Sequence, residues 1–328
     1  MPFQLDSDFV NECNNMCNAF VWFAAEAEEF QGAQFDICHG HDWLAAKAVV
    51  QCKHMGRNTV ATVHSTEFGR CGNANFGGQS ERIRGIEGEV IGVADRVIAV
   101  SGVLCDEVKR EFQFDHNKLR MVHNGIHLGP YDGGIDAGVV KGRLGIGAME
   151  PLVVFVGRLV TQKGPDLLLE AVPRILAQRG DAKFAICGDG YMRGDLERRA
   201  HELGVAHAVR FLGSVSGAPL VELFKSADCV CVPSRNEPFG IVVLEAWASG
   251  KPVVATTSGG PREFVQHGED GFHVDPHPES IAWGVCEVFA NFDRARDMGG
   301  RGRHKAGENF NWDRIAEQTE RIYRELCP

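Results

Sequence analysis

No run in this 328-residue chain approaches the roughly 20 consecutive apolar residues of a membrane-spanning helix, so a membrane span is not expected. The opening "MPFQLDSDF" lacks the basic segment and apolar core of a secretory leader, and a cytoplasmic protein is the expectation. Positive charge is not in excess. The formal net charge is -10, which argues against nucleic acid or an acidic membrane face as partner. None of the eleven cysteines stands in a C-x-x-C pair, and the count is odd, which argues against a disulfide framework or a zinc site. Cys229 and Cys231 lie two apart on an expected strand and Cys13 and Cys17 four apart on an expected helix, so reduced, mostly buried thiols are expected. What is present is ordinary globular composition, 44% hydrophobic and 24% charged, with length for two domains of about 150 residues.

Apolar runs of strand length alternate with helical patterns almost throughout. In the first half the expected strands are "FDICH" (35–39), "TVATVH" (59–64), "RVIAV" (96–100) and "LRMVH" (119–123). Between the second and third, Ile83, Ile86, Val90 and Val93 form a helical stripe with Ser80 as the expected N-cap. The stretch from 128 to 150, with seven glycines, reads as a linker. Beyond it, strands are expected at 152–157, 183–188, 209–213, 229–234 and 252–256. They are apolar without period-two alternation, as strands covered on both faces are. Pro173 is expected to kink or split its helix. The reading is α/β: two doubly wound Rossmann-like domains facing a cleft. Residues 1–127 form the first, 128–150 the linker, 151–310 the second, and 311–328 a helix packing back towards the first.

Right-handed crossovers put every strand-to-helix loop of the second domain on one edge of its sheet. Those loops carry "GRLVTQKG" with Arg158 and Lys163, "GDGYMRG" with Gly188 and Gly190, "PSRNEPFGIVVLEAW" with Glu237 and Glu245, and "TTSGGPRE". Two cations, two glycine-rich turns and two acids suit a ligand with phosphates in the middle and hydroxyls at both ends. A guanidinium and an ammonium neutralise phosphate oxygens. A helix starting at Gly240 aims N–H groups at an anion. A carboxylate in that company grips hydroxyl pairs, and Glu245, placed in the first helical turn, suits a ribose diol, with Glu237 on a sugar across the diphosphate. The implied co-substrate is a nucleoside diphosphate sugar.

These blocks, together with "SGGPREFVQHGEDGF", "HGHDWLAA", "HSTEFGR", "ADRVIAVS" and "HNGI", resemble retaining glycosyltransferases of family 4, with the GT-B fold. The resemblance implies a hexosyltransferase without a metal or other cofactor, with a saccharide or other hydroxyl acceptor. It implies that Arg158 and Lys163 hold the diphosphate, that Glu237 and the backbone of Phe239 and Gly240 hold the transferred sugar, and that Ile241, Val242 and Glu245 complete the donor site. His64 matches a histidine that reaches the sugar from the first domain; a histidine satisfied in the core is the other reading of that position. Two departures stand out. Family members normally open with a strand, a glycine-rich loop and a helix, whereas no Gly-Gly occurs here before Gly77, so about four parallel strands with an open edge are expected. A misplaced start, a fragment, or a partner chain covering that edge would each account for it. His127 stands where the family usually has aspartate.

Other signals have plainer readings. His39, His41 and Asp42 of "HGHDW" fit a strand end turning into a helix capped by Asp42 better than a metal site. Asp6-Ser-Asp8 suits a helix start. "GDGYMRG" is not a dinucleotide fingerprint. A non-catalytic nucleotide-sugar-binding protein and a nucleotide-sugar epimerase are the alternative functions.

Overall fold

The computed structural model describes residues 5–327. The chain forms two compact units, residues 1–123 with 315–328, and residues 124–314.

The first unit is built on β1 (Ile37–His41), β2 (Asn58–Val63), β3 (Arg96–Ala99) and β4 (Leu119–Met121), parallel and in that spatial order. The helix Phe9–Gln31 is N-capped by Asp8, whose carboxylate accepts the Asn11 N–H at 3.0 Å, so the acids at 6 and 8 do mark a helix start. The helix Gln79–Val93 begins one residue before Ser80, with Gly78 in the cap position, so Ser80 is not the N-cap. Its expected stripe does face inward, Ile83 and Val90 being buried. From the other end of the chain, the helix Trp312–Arg324 buries Ile315 and Ile322 against Val60, Ile98 and Val122 of the sheet. Glu325 then binds Arg120 and Arg96, each at 2.7 Å, and these guanidiniums hold its carboxyl down at about 2. Among the described residues β1 pairs only with β2. Beside it runs an apolar groove of about 400 Å³ lined by Phe20, Phe35, Ile37 and Val49.

The second unit carries six parallel strands: β5 (Leu152–Val156), β6 (Lys183–Cys187), β7 (Val209–Gly213), β8 (Cys229–Val232), β9 (Val253–Thr256) and β10 (Gly271–Val274). Their spatial order is β10-β9-β8-β5-β6-β7. Five of them coincide with the apolar runs of the sequence, and β10 is an addition. The core on one face packs Leu168, Leu169 and Ile175 of the helix Pro165–Gln178 with Phe184, Val254 and Val285. That helix runs through Pro173 without being split. Its burial between sheet and neighbours outweighs the one backbone hydrogen bond that proline forfeits. The glycine-rich stretch is not bare linker either. It holds the helix Ala137–Arg143, capped by Asp136, and the buried Lys141 ammonium binds Asp228 at 2.8 Å and the Glu150 carbonyl at 2.9 Å. None of the eleven cysteines is in a disulfide, and five of them are buried.

The strand order has a consequence for function. From β5 the chain moves outward through β6 and β7, then returns to β8 on the other side of β5 and moves outward again. The crevice between the loops leaving β5 and β8 is a topological switch point, where open α/β sheets bind their ligands.

Ile322→Ala should lower the unfolding free energy of the first unit by about 2–4 kcal/mol, because a buried aliphatic side chain leaves a cavity. Urea denaturation followed by circular dichroism would measure it, and a loss well below 1 kcal/mol would mean that this helix face is not packed.

Candidate functional site

The loops leaving the strands of the second unit are joined pairwise through their backbones. After β5 and β6, the Gly157 N–H donates to the Cys187 carbonyl at 3.0 Å and the Leu159 N–H to the Asp189 carbonyl at 2.8 Å. A side chain cannot fit between them: a Cβ at Gly188 would lie 1.9 Å from the Gly157 oxygen, and one at Gly190 2.4 Å from the Leu159 oxygen. After β8 and β9, the Glu237 N–H donates to the Ser258 carbonyl at 2.9 Å, and the Gly260 N–H returns a bond to the Glu237 carbonyl at 2.7 Å. Across the switch point itself, the Arg235 N–H donates to the Gln162 carbonyl at 2.8 Å.

On that frame sit the side chains the sequence singles out. Lys163 donates to both oxygens of Glu237, at 2.9 and 2.8 Å, and the Ser234 hydroxyl adds a bond of 2.8 Å to the same carboxylate. Glu237 is 6% exposed, so this is a buried, fully paired carboxylate, costly to leave alone. Arg158 is exposed and donates to the Gln162 side chain at 3.0 Å. The loops after β5 and β8 thus bring Arg158, Lys163 and Glu237 into one connected cluster.

Gly240, at φ 101°, is the N-cap residue of the helix Ile241–Ala248. Because the helix starts at Ile241, Glu245 is its fifth residue and lies in the second turn, not the first as the sequence suggests. The N–H groups of Ile241 and Val242 have no acceptor within the helix, whose positive end they form. Phe239, just before, is buried with its ring 5.2 Å from Phe264 and 6.0 Å from Phe310, and so anchors the helix start. The Glu245 carboxyl is raised to about 7 by burial, against the lowering effect of the Tyr131 hydroxyl that donates to it at 3.3 Å.

In the first unit, His64 follows the last residue of β2. Its N–H donates to the Asp42 carboxylate at 2.7 Å, and its Nε2 lies 3.0 Å from His41 Nδ1. Asp42 therefore does not cap the turn Trp43–Ala45 with its side chain, because its carboxylate is engaged by His64. Behind them, His39 bridges the Tyr323 hydroxyl at 2.6 Å and the Thr62 hydroxyl at 2.7 Å. Burial first, then the neighbouring His41 and His64, push His39 down to about 4, so it is neutral near pH 7. The plainer reading of "HGHD" as a strand end and cap misses this cluster. Its signal is present in the sequence, since residues 39 and 41 of one strand share a face.

A carboxyl raised on folding binds its proton more tightly in the folded chain. Glu245 therefore adds stability below its unfolded value near 4.5, and this is lost as pH rises through about 7. Glu245→Gln should be nearly neutral at pH 4.5 and stabilising at pH 9, by on the order of 1–3 kcal/mol in thermal unfolding scans. A variant no more stable than the parent at pH 9 would mean that Glu245 is well solvated.

The comparisons with known proteins agree with this geometry. The profile of glycosyl transferases group 1 matches residues 140–305, and that of glycosyltransferase family 4 matches residues 11–129. An uncharacterized glycosyltransferase of Methanocaldococcus jannaschii is 39% identical over 313 residues, 93% of this chain and 80% of that protein. A D-inositol 3-phosphate glycosyltransferase of Corynebacterium jeikeium is 32% identical, over 91% of this chain and 74% of its own length. A glycogen synthase of Mycobacterium tuberculosis is 29% identical, over 88% and 68% respectively. Among solved structures, sucrose-phosphate synthase from Thermosynechococcus elongatus superimposes with a TM-score of 0.81 at 25% identity, covering 99% of this chain and 80% of that one. Anabaena HepE in complex with UDP-glucose gives 0.81 at 23% identity, covering 95% and 82%, a likeness of fold. These are GT-B proteins, and the two parallel-sheet units described above are that fold. The chain belongs to the glycosyl transferases group 1 and is a glycosyltransferase.

Proposed function

We propose that the chain moves a hexose from a nucleoside diphosphate sugar to a hydroxyl of a saccharide or other acceptor, with retention of configuration and without a metal ion. The observation that carries this reading is the bond between Lys163 and Glu237 across the switch point, which sets a cation and a sugar-binding acid side by side. An ammonium has three donors. Two go to Glu237, and the third can meet a phosphate oxygen, as the exposed Arg158 guanidinium can. Glu237, already fixed by Lys163 and Ser234, keeps one lone pair on Oε1 for a sugar hydroxyl. Glu245 takes the ribose diol, the loops that Gly188 and Gly190 allow to close on one another offer their backbone to the diphosphate, and the first N–H groups of the helix at Ile241 face it. His64 is assigned to the transferred sugar.

In the reaction, the bond from the anomeric carbon to the diphosphate oxygen breaks, and a bond from the acceptor oxygen forms on the same face. The acceptor proton passes to the departing diphosphate. The negative charge that grows on the leaving group is what Arg158 and Lys163 stabilise, at roughly 3 kcal/mol for one well-placed donor. Anabaena HepE, which shares the fold, has been solved in complex with UDP-glucose, and this makes that nucleotide sugar the first probe.

Lys163→Ala and Glu245→Ala should each weaken UDP-glucose binding by tenfold or more in isothermal titration calorimetry. Unchanged affinity in both would remove the assignment.

A further inference from the structure

Three imidazoles stand in a row at the carboxyl ends of β1 and β2. The rings of His39 and His41 are 4.5 Å apart and inclined by 25°; those of His41 and His64 are 5.2 Å apart and inclined by 19°. We propose that His41 is a positioning residue for His64, holding its ring orientation and tying its tautomer to its own. The inference rests on the role given to His64 above and adds to it a residue that would not itself touch the substrate.

His41 Nδ1 and His64 Nε2 are 3.0 Å apart, and one must donate while the other accepts. Two neutral rings can do this in just two ways. Either His41 carries its proton on Nδ1 and His64 on Nδ1, or His64 carries it on Nε2 and His41 on Nε2. A proton on both facing nitrogens would set two N–H groups against each other. The tautomer of His64 is thereby tied to that of His41, and the contact holds the ring plane as well.

The segment that carries His41 is held from several sides. Asp42 adopts φ 56°, in the left-handed region that a non-glycine residue rarely occupies. That conformation turns its carboxylate back onto the His64 N–H, while its own N–H donates to the Thr62 carbonyl at 2.8 Å. Consecutive residues 41 and 42 therefore grip His64 at its ring and at its backbone. His39 closes the row from behind, its two nitrogens on the Tyr323 and Thr62 hydroxyls. A histidine that is merely satisfied in the core does not need a neighbour with positive φ on its backbone and a second imidazole on its ring.

The test uses side chains that imitate one ring nitrogen at a time. An asparagine amide places a polar atom where Nδ1 of histidine lies; a glutamine amide places one at the position of Nε2. In the full chain labelled with 15N-histidine, NMR of the ligand-free protein should show the His41 and His64 tautomers as a complementary pair, with His64 Nε2 hydrogen-bonded. His41→Phe should remove the hydrogen bond at His64 Nε2 and shift its tautomer balance, and His41→Asn, whose amide can donate or accept there, should restore that hydrogen bond. With UDP-glucose, His41→Phe and His41→Gln should lower kcat for transfer or donor hydrolysis by tenfold or more while KM stays within about twofold, and His41→Asn should recover most of the loss. A His64 spectrum unchanged in His41→Phe overturns the proposal whatever the kinetics show. Equal kinetics for the Asn and Gln variants also overturn it. If instead His64→Ala leaves both UDP-glucose affinity and turnover intact, the role of His64 falls, while the NMR arm still decides whether His41 positions it.

Discussion

The candidate site depends on one constraint: loops that leave neighbouring parallel strands must lie almost in contact before their side chains can act together. In the second unit this is achieved by backbone. Gly188 admits the Gly157 carbonyl, and Gly259 admits that of Glu237, where a Cβ would sit 2.0 Å from the oxygen. With the Arg235–Gln162 backbone bond across the switch point added to those two joins, the loops after β5, β6, β8 and β9 form one rim. Lys163 and Glu237 are then within bonding distance although 74 residues apart. The ion pair is a product of the backbone joins, and it supplies the buried Glu237 carboxylate with a partner. A nucleoside diphosphate sugar would meet cations and acids already in place and would not have to assemble them.

Electrostatics gives the two acids different roles. Glu237 is compensated by Lys163 and Ser234, so its carboxylate is a fixed acceptor. Glu245 has the Tyr131 hydroxyl against a desolvated setting, and its carboxyl is raised to about 7. It is a site held at a cost to the empty protein, and ligand hydroxyls would relieve that cost by donating to it. Such local loss of stability is what functional sites commonly show.

Much of this was legible in the sequence, for physical reasons. The strands of the second unit are continuous apolar runs, and burial on both faces of a parallel sheet requires that pattern. That the segments carrying Arg158, Lys163, Glu237 and Glu245 leave one edge of the sheet follows from parallel strands joined by right-handed crossovers. What was not legible depended on contacts between distant segments. β10, "GFHV", is short, has histidine at its third position and follows a polar turn, so it carries no apolar run. The helix at Ala137–Arg143 is hidden among glycines, and what fixes it is Lys141 reaching Asp228, a residue far along the chain. Gly78 displaced Ser80 from the cap, and the one-residue shift could not be seen without the backbone. Asp42 looked like a helix cap because nothing local reveals that His64, 22 residues on, takes its carboxylate.

A sugar–diphosphate–nucleoside ligand embraced by the rim joined across β5 and β8 would shield the loops of that rim from solvent. Hydrogen–deuterium exchange with and without saturating UDP tests it most directly. Slowed exchange confined to the segments 157–164, 188–193, 235–245 and 257–262 of the second unit is the expected result. Protection that leaves those four segments unchanged and appears elsewhere in the chain would contradict the account.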